Sequence, residues 1–259
     1  MLAIDGVSRA YGGVKALRAV SLGVNAGEIV GVIGPNGAGK TTLLNLISGY
    51  DRPDAGAITF EARSLVGLTP DRILRHGIGR TFQTARLYMR MSILENVLVG
   101  LHTRIAVDWL HALACSPRFQ RLERQAVERA VGLLREVGLG HQRDALPSAL
   151  PYADRRRLEL ARALAAEPRM ILLDEPTAGM GPGESEQMIG WILALKARGV
   201  AVVLVTHGMD VVRAACDRLY VLNHGECIAT GRPGNVLNDA RVITAYLGDE
   251  PGHDSTAQG

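Results

Sequence analysis

Residues 34–41 follow the pattern G-x-x-x-x-G-K-[ST], between an aliphatic run and a helical pattern. The glycines let several backbone N–H groups point at one anion, and the start of the following helix adds partial positive charge there. Lys40 is expected to reach the β- and γ-phosphates of a nucleotide, and the Thr41 hydroxyl to hold Mg²⁺. The predicted nucleotide-binding residues are Gly34, Pro35, Asn36, Gly37, Ala38, Gly39, Lys40, Thr41 and Thr42.

Two carboxylates end a second aliphatic run, at residues 170–173. Successive side chains of a strand point to opposite sides, so Asp174 and Glu175 can have different roles. We expect Asp174 to bind Mg²⁺ through water and Glu175 to polarise the attacking water as a general base. An acidic pair at a strand end is more often an ordinary surface pair. The catalytic interpretation depends on its combination with the phosphate-binding loop.

The elements that must position these groups alternate between strand and helix. Aliphatic runs at 28–33, 170–173 and 200–205 predict buried strands, and 41–48 and 184–198 have helical spacing. This order predicts an α/β fold with a mainly parallel sheet. Shorter strand patterns at 2–11, 17–24 and 57–61 predict an antiparallel β flank. Residues 92–167 have helical patterns at 119–137 and 158–166, which predict an inserted helical subdomain.

Composition excludes several classes of protein. Of 259 residues, 47% are apolar and 21% are charged, so the chain can fill a core and is not expected to be disordered. The net charge of +3, without a long basic block, does not indicate nucleic-acid binding. The longest aliphatic stretch, 200–205, is far short of the roughly 20 residues of a membrane-spanning helix, and the N-terminus lacks signal-peptide features. Cys115, Cys216 and Cys227 have no paired spacing, which favours reduced thiols.

Taken together, the motifs over about residues 4–248 resemble the nucleotide-binding subunit of an ATP-binding cassette (ABC) transporter, a P-loop NTPase. The resemblance implies that ATP and Mg²⁺ are the cofactors and that Tyr11 stacks on adenine. Gln83, in the stretch 80–84, matches the glutamine loop that touches Mg²⁺ and couples to the membrane partner. His207 matches the histidine that contacts the γ-phosphate. The predicted catalytic residues are therefore Lys40, Gln83, Glu175 and His207, and the metal site is Thr41, Gln83 and Asp174.

The same resemblance implies a division of the chain into parts. Residues 1–248 are expected to form a single nucleotide-binding domain. Its RecA-like core would take about 1–83 and 167–248, and its helical subdomain about 84–166. The polar residues 249–259 are expected to form a flexible tail.

The signature loop departs from the pattern of the family. Where the family usually has Leu-Ser-Gly-Gly-Gln, residues 150–154 read Leu-Pro-Tyr-Ala-Asp. The resemblance implies that this loop, through Ala153 and Asp154, contacts the γ-phosphate of ATP held by the opposite subunit. At Ala153 a methyl group replaces the hydrogen of a glycine where the backbone must approach phosphate. The carboxylate of Asp154 is unfavourable near a polyanion unless it is turned away or paired.

Further stretches, at 80–88, 91–100 and 242–248, and Tyr152 resemble the larger ATPase of branched-chain amino-acid importers. The implied partners are a second ABC ATPase (paralogue or self), two transmembrane permeases and, indirectly, an extracytoplasmic binding protein, with no nucleic acid. The implied location is the cytoplasmic side of the inner or plasma membrane, held peripherally by the permeases. The alternatives are a urea or amide importer, a non-transport ATPase clamp and a weakly hydrolysing nucleotide-binding subunit.

Overall fold

The computed structural model describes residues 1–83, 87–101 and 117–247, of which 117–119 are described as backbone only. These ranges contain the strands β1 Leu2–Tyr11, β2 Val14–Val24, β3 Ile29–Ile33, β4 Ala55–Phe60, β5 Arg63–Ser64, β6 Ile78–Arg80, β7 Met170–Asp174, β8 Ala201–Val205, β9 Arg218–Asn223 and β10 Glu226–Gly231. They also contain the helices α1 Lys40–Ile47, α2 Pro70–Arg75, α3 Ile93–Leu101, α4 Pro117–Glu136, α5 Tyr152–Ala165, α6 Pro182–Ala197, α7 Met209–Ala215, α8 Pro233–Val236 and α9 Ala240–Leu247.

The larger sheet has six strands in the order β10-β9-β3-β8-β7-β6. Its neighbouring strands are parallel except for the antiparallel pair β9–β10. Every residue of β3, β7 and β8 is buried, as expected for parallel strands covered on both faces. Because these strands share one direction, their carboxyl ends meet at one edge of the sheet. The phosphate-binding loop, Glu175 and His207 all follow that edge.

A second, antiparallel sheet has the strand order β2-β1-β4-β5. One apolar core lies between the two sheets and includes Leu43, Leu44 and Ile47 of α1. This packing fixes the helix that begins at the phosphate-binding loop. On the other face of the larger sheet, a second core joins β3, β7 and β8 to α6 and α7.

The helices α3, α4 and α5 form a third apolar cluster, which includes Val97, Leu134 and Leu158. No strand occurs in the described residues between β6 and β7. The sequence-based prediction of an α/β fold with an antiparallel flank and an inserted helical region is therefore confirmed.

Several details differ from the sequence-based expectations. β2 begins at Val14 rather than 17, and α5 begins at Tyr152 rather than 158. The strands β5, β6, β9 and β10 were not predicted. The proposed boundaries of the core and helical parts stay predictions, and the tail at 249–259 lies outside the described residues. In the described part of the chain, no helix combines the length and the apolarity that crossing a membrane requires.

Candidate active site

The phosphate-binding loop is held by close contacts that require glycine. Gly34 has φ +148°, and a Cβ there would lie 2.0 Å from the carbonyl oxygen of Leu222 on β9. Gly39 has φ +103°, and a Cβ there would lie 2.5 Å from the carbonyl oxygen of Ala16 on β2. Both neighbours are backbone atoms that cannot move aside cheaply. The loop is thereby pressed against both sheets, and α1 begins at once, at Lys40.

Lys40 places its ammonium group inside this loop. Its Nζ donates hydrogen bonds to the carbonyl oxygens of Gly34, at 2.6 Å, and Pro35, at 2.7 Å. Burial lowers the pKa of Lys40, while the nearby carboxylates of Glu175 and Asp174 act in the opposite direction. A buried cation between a glycine-rich loop and two carboxylates is suited to receive the phosphates of a metal-bound nucleotide.

Asp174 is the last residue of β7 and is 4% exposed. Burial raises the pKa of its carboxyl group, and the charges of Arg80, Arg156 and Lys40 oppose that rise. A guanidinium nitrogen of Arg80 lies 3.7 Å from Asp174 Oδ2. Thr41 and Gln83 line the same cavity as Asp174, so the three predicted metal ligands lie together. Their hydroxyl, amide and carboxylate oxygens are the donors that Mg²⁺ prefers.

Glu175 has the left-handed backbone value φ +50°, and its N–H donates to the carbonyl oxygen of Val205 at 2.8 Å. Its Oε1 is buried and has no hydrogen-bond partner among the described residues. His207 Nε2 lies 3.5 Å from that oxygen, and the His207 N–H donates to Glu175 Oε2 at 3.4 Å. An unsatisfied buried carboxylate oxygen fits a group that accepts a hydrogen bond from a water in the cavity.

The cavity at the carboxyl ends of β3, β7 and β8 has a volume of about 250 Å³. It brings together all the predicted catalytic residues and most of the predicted loop. Its lining is Ala16, Asn36, Gly37, Ala38, Gly39, Lys40, Thr41, Thr42, Gln83, Asp174, Glu175, Val205 and His207. This is smaller than the roughly 300–1,000 Å³ of a pocket that encloses a drug-sized ligand. It therefore suits the phosphate end of a nucleotide.

Tyr11 does not line this cavity. It ends β1 and is 43% exposed, its hydroxyl donates to Asp51, and the Arg9 guanidinium lies 4.7 Å from the ring centroid. The role of Tyr11 as a platform for adenine stays a prediction.

The signature loop lies at the start of α5 and is also absent from the cavity lining. Ala153 is 4% exposed. The Asp154 carboxylate is paired, because its Oδ1 lies 3.1 Å from a guanidinium nitrogen of Arg157. Arg157 also donates to Gln187 Oε1 on α6 at 2.7 Å. Of the two arrangements expected for Asp154, the structure has the paired one.

Three residues near the site were missed as functional groups. Arg80 donates to Asn45 Oδ1 at 2.8 Å and Ser48 Oγ at 2.7 Å, and it also faces Asp174. Arg156 and Glu159 bond to the backbone of the glutamine loop. The sequence offered one signal for these residues: they are charged residues at positions of a strand and of a helix face that would otherwise be apolar.

Known proteins resemble this chain along almost its whole length. A family model described as ABC transporter matches residues 17–178. The high-affinity branched-chain amino acid transport ATP-binding protein LivG of Salmonella typhimurium is 39% identical over 250 residues, which cover 96% of this chain and 98% of the relative. BraF of Pseudomonas aeruginosa, whose description is otherwise the same, is 38% identical with the same coverage.

Solved structures agree with these relatives. A nucleotide-free ATP-binding cassette from an ABC transporter has a TM-score of 0.83 at 35% identity and covers 95% of this chain and 98% of its own. A cassette in its ADP conformation has a TM-score of 0.82 at 34% identity, with 96% and 99% covered. A dimeric post-hydrolysis cassette bound to ADP and Pi has a TM-score of 0.77 at 28% identity, with 90% and 99% covered. The resemblance drawn from the motifs is confirmed: the chain belongs to the ABC transporter family, as one of its ATP-hydrolysing ATP-binding cassettes.

Proposed function

We propose that this chain hydrolyses ATP to power the import of branched-chain amino acids through a pair of permeases. The observation that carries the proposal is the unsatisfied Glu175 Oε1, held in one cavity with Lys40 and His207. The substrate class is that of LivG and BraF, the relatives matched over 96% of the chain.

In the reaction, the oxygen of a water attacks the γ-phosphorus and the bond to the β–γ bridging oxygen breaks, which yields ADP and phosphate. Glu175 accepts the proton of the attacking water. Lys40 and the loop N–H groups neutralise phosphate charge, and His207 stabilises the γ-phosphoryl group as it transfers. Thr41, Asp174 and Gln83 would hold Mg²⁺, which supplies further charge neutralisation at the phosphates.

Each ATP is expected to lie between two cassettes arranged head to tail. The dimeric cassette bound to ADP and Pi supports such pairing. The loop around Ala153 and Asp154 then faces the nucleotide of the partner ATPase. Because this loop carries an extra methyl group and a carboxylate, a heterodimer would have one competent and one weakened site. This feature favours, as a second candidate, a subunit whose own signature loop supports little hydrolysis.

A groove next to the glutamine loop supports permease contact. It has a volume of about 440 Å³, and its lining includes the aromatic and aliphatic side chains of Tyr50, Leu74, Phe82, Tyr88 and Val99. Because the groove lies beside Gln83, a permease segment bound in it would respond to whether the nucleotide site is occupied. The chain would then be held peripherally on the cytoplasmic side of the membrane.

The test is transport by the reconstituted assembly. The chain, a second ATPase, two permeases and the binding protein are placed in vesicles. Uptake of labelled leucine is measured with urea as a competitor, and uptake of labelled urea is measured separately. The proposal predicts ATP-dependent leucine uptake that urea does not reduce and that Glu175→Gln abolishes. Uptake of urea without leucine would support the amide-importer alternative, and absence of any uptake would reject the transport function.

A further inference from the structure

The backbone around Gln83 is bonded to one turn of α5. Two guanidinium nitrogens of Arg156 donate to the carbonyl oxygens of Phe82 and Gln83. In the other direction, the Phe82 N–H donates to Glu159 Oε1 at 3.0 Å. Three backbone groups of the glutamine loop are therefore fixed by two side chains that lie three residues apart on one helix.

These two side chains form a buried ion pair. Arg156 Nη1 lies 3.3 Å from Glu159 Oε2, and their side chains are 3% and 1% exposed. Arg156 Nε also donates to the hydroxyl of Tyr152 at 3.1 Å. Burial raises the pKa of Glu159, and the Phe82 N–H and Arg156 oppose that rise. A buried ion pair contributes little net stability compared with apolar packing, so fold stability alone does not account for this one.

The pair connects two functional segments of the proposed ATPase. Arg156 lies three residues after Ala153, so the same helical turn carries the signature loop. At its other end the network reaches Gln83, which lines the cavity with Thr41 and Asp174. If α5 moved when its signature loop contacted the nucleotide of the partner ATPase, the bonded carbonyl groups of Phe82 and Gln83 would move with it.

We propose that Arg156 and Glu159 are positioning residues that fix Gln83 in its own nucleotide site and tie it to the helix that carries the signature loop. The proposal rests on the proposed function, because it needs Gln83 to act at the metal. An arginine is required at position 156, since a lysine cannot donate to two carbonyl groups and a carboxylate in one plane.

The test is a double-mutant cycle in the assembled ATPase, with Gln83→Ala, Arg156→Met and the double variant. The ATPase rate is measured as a function of Mg²⁺ and ATP concentration, and ATP affinity is measured separately by calorimetry. Arg156→Met is expected to lower kcat about tenfold and to raise the Mg²⁺ concentration for half-maximal rate, with ATP affinity almost unchanged. In the Gln83→Ala background the same substitution should have a clearly smaller effect, because the route through Gln83 is removed and only the action of the Arg156 charge on Asp174 remains.

The control variant is Arg218→Met, which breaks a less buried ion pair with Glu28, at 2.9 Å, at the opposite end of the parallel strands. It should lower the melting temperature without changing the Mg²⁺ dependence. If Arg156→Met fails to fold, Arg156→Lys is used instead, because it keeps the buried positive charge. It should also raise the Mg²⁺ concentration for half-maximal rate, but by a smaller factor.

The outcomes separate this proposal from the proposed function. If Gln83→Ala lowers turnover but Arg156→Met adds its full effect on top, the positioning role is rejected and the role of Gln83 stands. If Gln83→Ala changes neither turnover nor Mg²⁺ dependence, the assignment of Gln83 is wrong and the positioning role falls with it.

Discussion

At the residue scale, the chemistry depends on a few side chains whose positions are imposed by backbone constraints. Glu175 adopts φ +50°, which costs a non-glycine residue about 1–3 kcal/mol. This conformation places its carboxylate near Lys40 and His207, with one oxygen that has no hydrogen-bond partner among the described residues. Local strain and a missing hydrogen bond at one residue are typical of a functional position.

The first prediction concerns that carboxylate. Glu175→Gln removes the proton acceptor but keeps the size and most contacts of the side chain. We expect kcat to fall at least about 100-fold while ATP binding is retained. Turnover and binding are measured by phosphate release and calorimetry, with Glu186→Gln on the exposed face of α6 as the matched control. Full turnover by Glu175→Gln would reject the role of general base.

A second prediction concerns the signature loop. Ala153→Gly with Asp154→Gln removes a buried methyl group and a paired carboxylate from the loop expected to face the phosphates bound by the partner ATPase. If repulsion there is about 1 kcal/mol, turnover at the composite site that includes this loop should rise about fivefold, and turnover of the assembled complex should rise by a smaller factor. Ala153→Gly alone separates the steric effect from the charge. An unchanged rate in the double variant would show that the loop, with Asp154 paired to Arg157, tolerates both residues.

Residues in contiguous motifs could be predicted from the sequence, whereas residues that meet through folding could not. Lys40 and Thr41 lie in one short pattern, and Asp174 and Glu175 lie at the end of one strand. Arg156, by contrast, meets Phe82 across 74 positions of the chain. Its contact depends on how α5 packs against the end of β6, which no local spacing encodes.

At the element scale, the helical region depends on a close approach of α3 and α5. A Cβ on Gly100 would lie 2.3 Å from the carbonyl oxygen of Arg162 and 2.9 Å from the Cβ of Ala165. The helices therefore approach more closely there than any side chain at position 100 would allow. This contact also forms one wall of the groove proposed for the permease.

The third prediction compares two helical glycines. Gly100→Ala should lower the free energy of unfolding by about 1–3 kcal/mol, because the methyl group overlaps the backbone of α5. Gly190→Ala, on the exposed face of α6 with nothing within 4 Å, should raise it by about 0.5–1 kcal/mol through helix propensity. Urea denaturation of both variants measures the two changes. Effects of the same sign would contradict the packing described for α3 and α5.

Some strands were missed for reasons that differ between them. β6 has only three residues, too few for a periodic pattern. The hairpin β9–β10 could have been predicted from the residue pair at its turn. His224 and Gly225 form a two-residue loop with φ +47° and +81°. A residue that tolerates positive φ followed by glycine between two apolar runs predicts a type I′ turn.

At the scale of the whole molecule, the alternation of strands and helices was enough to predict the α/β class, but not which strands are neighbours. Parallel pairing joins β3 to both β8 and β9, far along the chain. This central strand is packed tightly against Cys216, whose Sγ would lie 2.9 Å from a Cβ at Gly31. Cys216 and Cys227 are free thiols, and Cys115 lies outside the described residues, so the expectation of reduced cysteines stays a prediction.

The fourth prediction follows from that packing. Burial, with a smaller effect of Asp217, raises the pKa of the Cys216 thiol from 9.0 to about 12. The folded chain thus holds this proton more tightly than the unfolded chain. The contribution of the buried thiol to the free energy of unfolding is therefore complete below pH 9 and is lost as the pH rises towards 12. Between pH 8 and 10.5, the free energy of unfolding of the natural chain should fall by about 2 kcal/mol relative to Cys216→Ala. A difference between the two proteins that does not change with pH would contradict the burial of this thiol.

The binding of ATP at the loop between β3 and α1 is the central claim, and calorimetry of the purified chain with ATP and Mg²⁺ tests it most directly. We expect saturable heat from one nucleotide per chain, and a loss of affinity of at least about tenfold in Lys40→Ala, because the buried ammonium would no longer contact the phosphates. Lys15→Ala, at an exposed position of β2, should bind as the natural chain does. No heat from the natural chain, or equal affinity in Lys40→Ala, would contradict the account.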